Sequence, residues 1–258
     1  MEDARLYATS DPLTEAPAWF RASRAHLHRT FLDPADPYPC YFAELGERRA
    51  TNYYTYLVPG ADRDRISDAE LGALARALRA FLRLPRAPAQ RLSLLCLVEP
   101  PASPVSFAEH RARYWDVLRQ LIARDADPWP AGTPAHPDDP GWNFCFAGEP
   151  LFTFGACPAY HPRRSRALGP GLVMVFQPLT IFADIGGSTD AGRAAKRQIR
   201  DRLRGYERVP LLADAGDGSG STVAKWKQYF PSVDGAPASG PCPVSAARRT
   251  TGKGGGLP

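Results

Sequence analysis

The chain has 258 residues, 44% of them hydrophobic and 10% aromatic, with a formal net charge of +5. That is enough apolar material to bury one sizeable core, which excludes fibrous and wholly disordered classes. The longest apolar runs, Leu92 to Val98 and Leu172 to Phe176, fall far short of the roughly 20 residues that cross a bilayer, so no membrane partner is expected.

Residues 1–12 are polar and unpatterned and read as a flexible N-terminus. They carry acids where a secretory signal carries lysines, and no apolar segment follows, so the expected location is cytoplasmic. Cys40, Cys96, Cys145, Cys157 and Cys242 are odd in number and form no CxxC pair. Reduced thiols fit that pattern, and a structural zinc site does not.

From Leu13 to Phe31 the spacing of Trp19, Phe20, Leu27 and Phe31 predicts a helix that ends at Asp33-Pro34. His26 and His28, two apart on that helix, face different ways and make poor joint ligands. Tyr38 to Ala43 and Asn52 to Val58 read as a hairpin joined by the charged stretch Glu44 to Arg49. Ser67 and Glu70 form a capping box ahead of a helix that stops before Pro85. The run Leu92 to Val98, apolar but for Ser93, is a central strand. Ser106 caps a helix that turns Phe107, Tyr114, Trp115, Leu118, Leu121 and Ile122 inward, and Pro128 to Pro140 is an irregular crossing.

Two aromatic strands follow, Trp142 to Phe146 and Leu151 to Phe154, then a polar turn, then the apolar strand Leu172 to Phe176. The helix Asp190 to Arg204 is basic, has few apolar residues and is expected at the periphery. Asp214 to Ser221 is a Gly/Ser/Asp loop, and the aromatic segment Ala224 to Phe230 reads as a docking piece that closes the core. Residues 232–258 are rich in Gly, Pro, Ser and Ala and read as a disordered tail, which leaves 13–231 as the domain. The expected fold is α+β (or α/β) in a single domain, with a mixed, mostly antiparallel central sheet covered by helices.

No GxGxxG, GxxxxGK or GxSxG pattern is present, so dinucleotide, P-loop and serine-hydrolase readings have no motif to stand on. The turn after Phe154 is the informative stretch, because it crowds His161, Arg163, Arg164 and Arg166 between two strands. That much like charge calls for an anion or for carboxylates to neutralise it. His161 either fixes the turn through a backbone hydrogen bond or ligates a metal. One histidine cannot hold a bare ion, but it can hold haem, where the porphyrin supplies four ligands. The three arginines would then clamp the propionates, or else pair with the chain's own carboxylates. Phe154 and Tyr160 would wall the ring. Cys157 is the rival axial ligand, and neither it nor Cys40 makes a strong nucleophile.

Taken in order, Tyr38-Pro39-Cys40-Tyr41-Phe42-Ala43, the block Gly141 to Gly148, His161-Pro162 with Arg163 to Arg166, Val175-Phe176-Gln177-Pro178 and Lys225 to Phe230 resemble the YqcI/YcgG family. The resemblance covers most of residues 30 to 231. It implies haem-dependent N-oxygenation, with haem b as cofactor and O₂ plus an electron donor, or peroxide, as oxidant. The substrate it implies is a small amine or guanidine such as an arginine-like amino acid of specialised metabolism, and a redox partner could supply the electrons. His161, the one histidine inside a matching motif, is carried over as the proximal ligand. A basic substrate needs an acidic partner, for which Glu149 and Asp184 are the candidates. Two other readings stay open: a non-catalytic haem carrier or sensor, and nucleic-acid binding through residues 193–204, which lack the interleaved aromatics that stack on bases, together with the Arg163 to Arg166 cluster.

Overall fold

The computed structural model describes residues 5–60, 65–87, 90–185, 189–211 and 223–244. Helix α1 (Ala18–Leu32) starts after Pro17 and buries Phe20, Leu27 and Phe31. Helix α2 (Tyr41–Arg48) leads to strand β2 (Asn52–Leu57), which pairs with a two-residue edge strand, β1 (Tyr7–Ala8). Both serines cap as expected, but the box at Ser67 is only half made, since the Glu70 carboxylate accepts from Arg5 and the Val58 N–H instead. Ser67 Oγ accepts the Glu70 N–H ahead of α3 (Asp68–Leu82), and Ser106 and Glu109 make a reciprocal capping box ahead of α4 (Phe107–Arg124). Between those helices runs β3 (Ser93–Val98), buried along its whole length.

Strands β4 (Phe144–Phe146) and β5 (Glu149–Ala156) form a hairpin, and β6 (Val173–Pro178) follows after the polar turn. Ala147 and Gly148 sit at φ 53° and 74°, the pair of positive values that a tight two-residue hairpin turn requires. The Ala147 N–H donates to Asp125 Oδ2 at 2.8 Å, which anchors that turn to the end of α4. The last long helix, α5 (Asp190–Tyr206), is capped by Thr189 Oγ1.

The six strands order as β1-β2-β3-β6-β5-β4. Only β2 and β3 run parallel, with α3 as the crossover, and the other four pairings are antiparallel. The α+β, mostly antiparallel expectation holds. Side chains alternate across this sheet with period two. Leu94, Cys96, Met174 and Phe176 enter one core with α3, α4 and the aromatic segment Trp226 to Phe230. Leu95, Leu97, Val173 and Val175 enter a second core with Phe20, Leu27 and Phe31 of α1.

Three expectations need correction. The arm expected as a strand at 38–43 is helical from Tyr41. Its aromatics alternate like a strand, but burial falls on Phe42, Gly46 and Glu47, the spacing of a helix face. Gly46 lets that helix lie against β2, since a Cβ there would stand 2.2 Å from Asn52 Oδ1. The core also extends past Phe230. Cys242 and Val244 are each 2% exposed and join the main cluster, because two small apolar side chains suffice when Trp226 and Tyr229 already supply the surrounding surface. Residues 1–12, expected as a flexible N-terminus, include β1, where Tyr7 and Ala8 pair with Tyr54 and Tyr53. Helix α5 is peripheral as expected, with one face forming the wall of a cavity. The loop expected at 214–221 and residues 245–258 lie outside the described residues. No helix among the described residues is long and apolar enough to cross a membrane.

Candidate functional site

On the α1 side of the sheet, a cavity of about 780 Å³ opens between β5, β6, the start of α2, the turn at 163–166 and α5. Its size falls in the range typical of cofactor and small-ligand sites, roughly 300–1,000 Å³. Strand alternation explains the inner wall. Leu151 and Thr153 point into the main core, so Phe152 and Phe154 point out of it and into the cavity. Phe42, Phe182, Ile199 and Leu203 complete the apolar surface. Among the described residues, Arg163, Arg166, Lys196, Arg200, Arg204 and Lys225 surround it with six cations, against a single lining carboxylate, Glu207.

The polar turn does not act as one unit. Arg163 is 3% exposed and lines the cavity; its Nη2 donates to the Pro210 carbonyl at 3.2 Å, while its Nε is buried without a partner among the described residues. Burial pushes its pKa below the usual arginine value. Arg164 turns away to pair with Asp36 and lies over the Tyr206 ring with Cζ 4.2 Å from its centroid. Arg166 lines the cavity, but its guanidinium is bonded to the carbonyls of Gly155 at 3.1 Å, Gln228 at 3.1 Å and Tyr229 at 3.4 Å, with Cζ 4.4 Å from the centroid of the Phe154 ring.

His161 ends the single turn Pro158–Tyr160, is exposed, and is not among the cavity-lining residues. Tyr160 is fully buried on the opposite side, donating its hydroxyl to the Pro231 carbonyl and packing against Phe107 and Phe230. Cys157 is buried, with its backbone N–H on the Arg166 carbonyl at 2.9 Å, and burial pushes its thiol up to about 11. Of the five cysteines, Cys40 alone lines the cavity, and burial raises its pKa as well.

The two acids expected to meet a basic substrate are occupied elsewhere. Glu149 takes the Arg86 guanidinium at 2.7 Å, and Asp184 takes Arg91 through two contacts of 2.8 Å; neither lines the cavity. Glu207, which the sequence does not single out, does line it. Its Oε1 accepts the Ser165 hydroxyl, and its Oε2 is buried without a partner among the described residues. Gln177 and Asn143 also face the cavity from β6 and the start of β4, with Gln177 Nε2 held on Ser93 Oγ at 2.8 Å. The basic surface considered for nucleic acid is partly consumed within the chain, since Arg193 pairs with Asp190, Arg204 with Asp201 and Arg202 with Glu44.

An apolar, aromatic-walled cavity with a cationic surround suits a flat or elongated ligand that carries carboxylates, and the Glu207 oxygen suits a cation beside it. Known proteins give this arrangement a family context. The chain is 34% identical over 221 residues to the Bacillus subtilis (strain 168) protein named "Uncharacterized protein YcgG", covering 84% of each chain. It is 30% identical over 233 residues to "Uncharacterized protein YqcI" of the same organism, covering 87% of this chain and 89% of that one. It is also 29% identical over 233 residues to the Streptomyces lavendulae protein named "Putative N(omega)-hydroxy-L-arginine synthase DcsA", covering 88% of this chain and 84% of that one. No solved structure matches. The YqcI/YcgG family model spans residues 28–245, which takes in strands β2 to β6, the cavity walls and the buried pair Cys242 and Val244, and the chain therefore belongs to the YqcI/YcgG family.

Proposed function

We propose that the protein is a cytoplasmic enzyme that hydroxylates a side-chain nitrogen of an arginine-like amino acid bound in this cavity, with haem b as its cofactor. The observation that carries the reading is the cavity itself: aromatic walls, six surrounding cations and one carboxylate, in a chain similar over 233 residues to a protein named for N-hydroxy-arginine synthesis. Haem suits these residues. Phe152, Phe154, Phe182 and Leu203 offer apolar surface to a flat ring, and the buried Arg163 Nε, unpartnered among the described residues, offers a donor to a propionate.

Bound haem would supply activation of O₂ or peroxide for oxygen transfer to nitrogen, chemistry no side chain provides. The chain's own contribution is binding and orientation. Cations at the cavity surround hold carboxylates, the aromatic walls exclude water from the reacting nitrogen, and Gln177 and Asn143 present polar groups that fix its approach. Cys40 or His161 would hold the haem iron; Cys157, the rival in the sequence, does not line the cavity. Cys40 lines the cavity, while His161, carried over by family resemblance, is exposed two residues before Arg163.

The experiment is the absorption spectrum of protein purified with haem supplied. A Soret band is expected in wild type. Its loss or displacement in His161→Ala assigns the histidine, and the same change in Cys40→Ala assigns the thiolate. Absence of the band in wild type rejects the haem reading.

A further inference from the structure

We infer that Glu207 is the residue that selects the substrate, gripping its positively charged nitrogen end, so that the cavity takes a cationic side chain and refuses a neutral one of the same shape. This rests on the N-hydroxylation reading and adds the residue that gives it specificity. Glu207 follows α5, its N–H bonded to the Leu203 carbonyl at 2.9 Å, and its carboxylate is oriented by the Ser165 hydroxyl on Oε1. The other oxygen, Oε2, is buried beside the cavity with no hydrogen-bond partner among the described residues.

A buried charged acceptor left unpaired is expensive, so the arrangement is built for a donor that arrives with the ligand. Arg163 and Arg164 feel the Glu207 charge, but no hydrogen bond joins either to Oε2 among the described residues: Arg164 goes to Asp36 and the Tyr206 carbonyl, and Arg163 gives its Nη2 to the Pro210 carbonyl. Glu207 is thus left to the ligand. Because it is the one carboxylate beside six cations among the described lining residues, the cavity is polarised: the cations suit anionic groups, and Glu207 suits a cationic one. An amino acid with an α-carboxylate at one end and a guanidinium or ammonium at the other matches that polarity. A guanidinium also offers paired N–H groups to the two carboxylate oxygens.

The test compares L-arginine, L-lysine and L-citrulline by titration calorimetry on the haem-loaded protein. Citrulline has nearly the shape of arginine without its charge. Wild type is expected to bind arginine about 10- to 100-fold more tightly than citrulline, the effect of losing one buried charge-assisted contact. Glu207→Gln is expected to lose arginine affinity by about the same factor, with citrulline binding, haem content and melting temperature unchanged. Equal affinity of wild type for arginine and citrulline overturns the inference, as does wild-type arginine affinity in Glu207→Gln; N-hydroxylation of arginine in those cases leaves the functional reading standing. If wild type binds none of the three, both the inference and that reading fall. Should Glu207→Gln not fold, Ser165→Ala, which removes the hydroxyl that orients the carboxylate, is expected to weaken arginine binding more than citrulline binding, and an equal effect on both overturns the inference.

Discussion

Replacing Arg166 by lysine isolates a guanidinium that joins the cavity to the C-terminal segment. Its Nη1 and Nη2 bond the carbonyls of Gly155, Gln228 and Tyr229 at 3.1, 3.1 and 3.4 Å, and its Cζ lies 4.4 Å from the centroid of the Phe154 ring. The fork thereby ties β5 to the turn at 225–228, alongside a single backbone bond, Gly155 N–H to the Tyr229 carbonyl at 2.8 Å. A lysine keeps the charge but, as a point donor, reaches only one carbonyl. Losing two hydrogen bonds from a charged group costs about 2–3 kcal/mol, and the weaker ring contact adds about 0.5 kcal/mol. For a domain of this size, that lowers the melting temperature by roughly 6–12 °C. Urea denaturation followed by tryptophan fluorescence reads the change, since Trp226 sits in the segment that the fork holds. An unchanged midpoint in Arg166→Lys, together with reduced haem content, would refute the reasoning, because the guanidinium would then serve the cofactor rather than the fold.

Gly155→Ala should destabilise by about 1–3 kcal/mol or fail to fold, because a Cβ there would stand 2.4 Å from Phe230 Cδ2 and 2.8 Å from Tyr114 Cδ2; Gly205→Ala, with nothing nearby, serves as the tolerated control in the same thermal melt. Truncation after Ser232 removes the buried side chains of Cys242 and Val244, so it should lower stability by about 2 kcal/mol or more; an unchanged melting temperature would return the core boundary to Phe230. Burial raises the thiols of Cys157 to about 11 and Cys242 to about 12 from 9.0, so the folded state holds those protons more tightly than the unfolded chain. Stability from both is complete below pH 9.0 and is lost as pH rises toward 11 and 12, at up to about 1.4 kcal/mol per pH unit for each thiol. Urea midpoints between about pH 8 and 11 should fall less steeply in Cys157→Ala than in wild type.

Much of the fold was legible because its signals are local. Ser67 and Ser106 mark helix starts by side-chain chemistry alone, and β3 declares itself by six consecutive buried residues. Helix α2 was not legible, since Tyr38, Cys40 and Phe42 alternate like a strand and only the packing of Gly46 against Asn52 reveals the helix. The two-residue strand β1 carries no pattern of its own and exists through pairing with Tyr53 and Tyr54.

The site was legible in one part only. The turn after Phe154 stands out in the sequence as polar, yet its three arginines part: Arg163 and Arg166 line the cavity, Arg166 with its guanidinium on backbone carbonyls, and Arg164 turns to Asp36. Those destinations depend on long-range contacts that no local spacing encodes. Glu207 meets Phe42, Phe152 and Gln177 only because β6 inserts between β3 and β5 and brings α5 back over the sheet. Glu149 and Asp184 lie nearer in sequence, but Arg86 and Arg91 neutralise them.

The most direct test of the N-hydroxylation reading is mass analysis of L-arginine incubated with the haem-loaded protein, a reductant and O₂, beside the Glu207→Gln variant. The expected product is heavier by one oxygen atom, carried on a guanidino nitrogen, formed only with haem present and strongly reduced in the variant. No oxygenated product from arginine, lysine or simple guanidines, with haem bound and reduced, would contradict it.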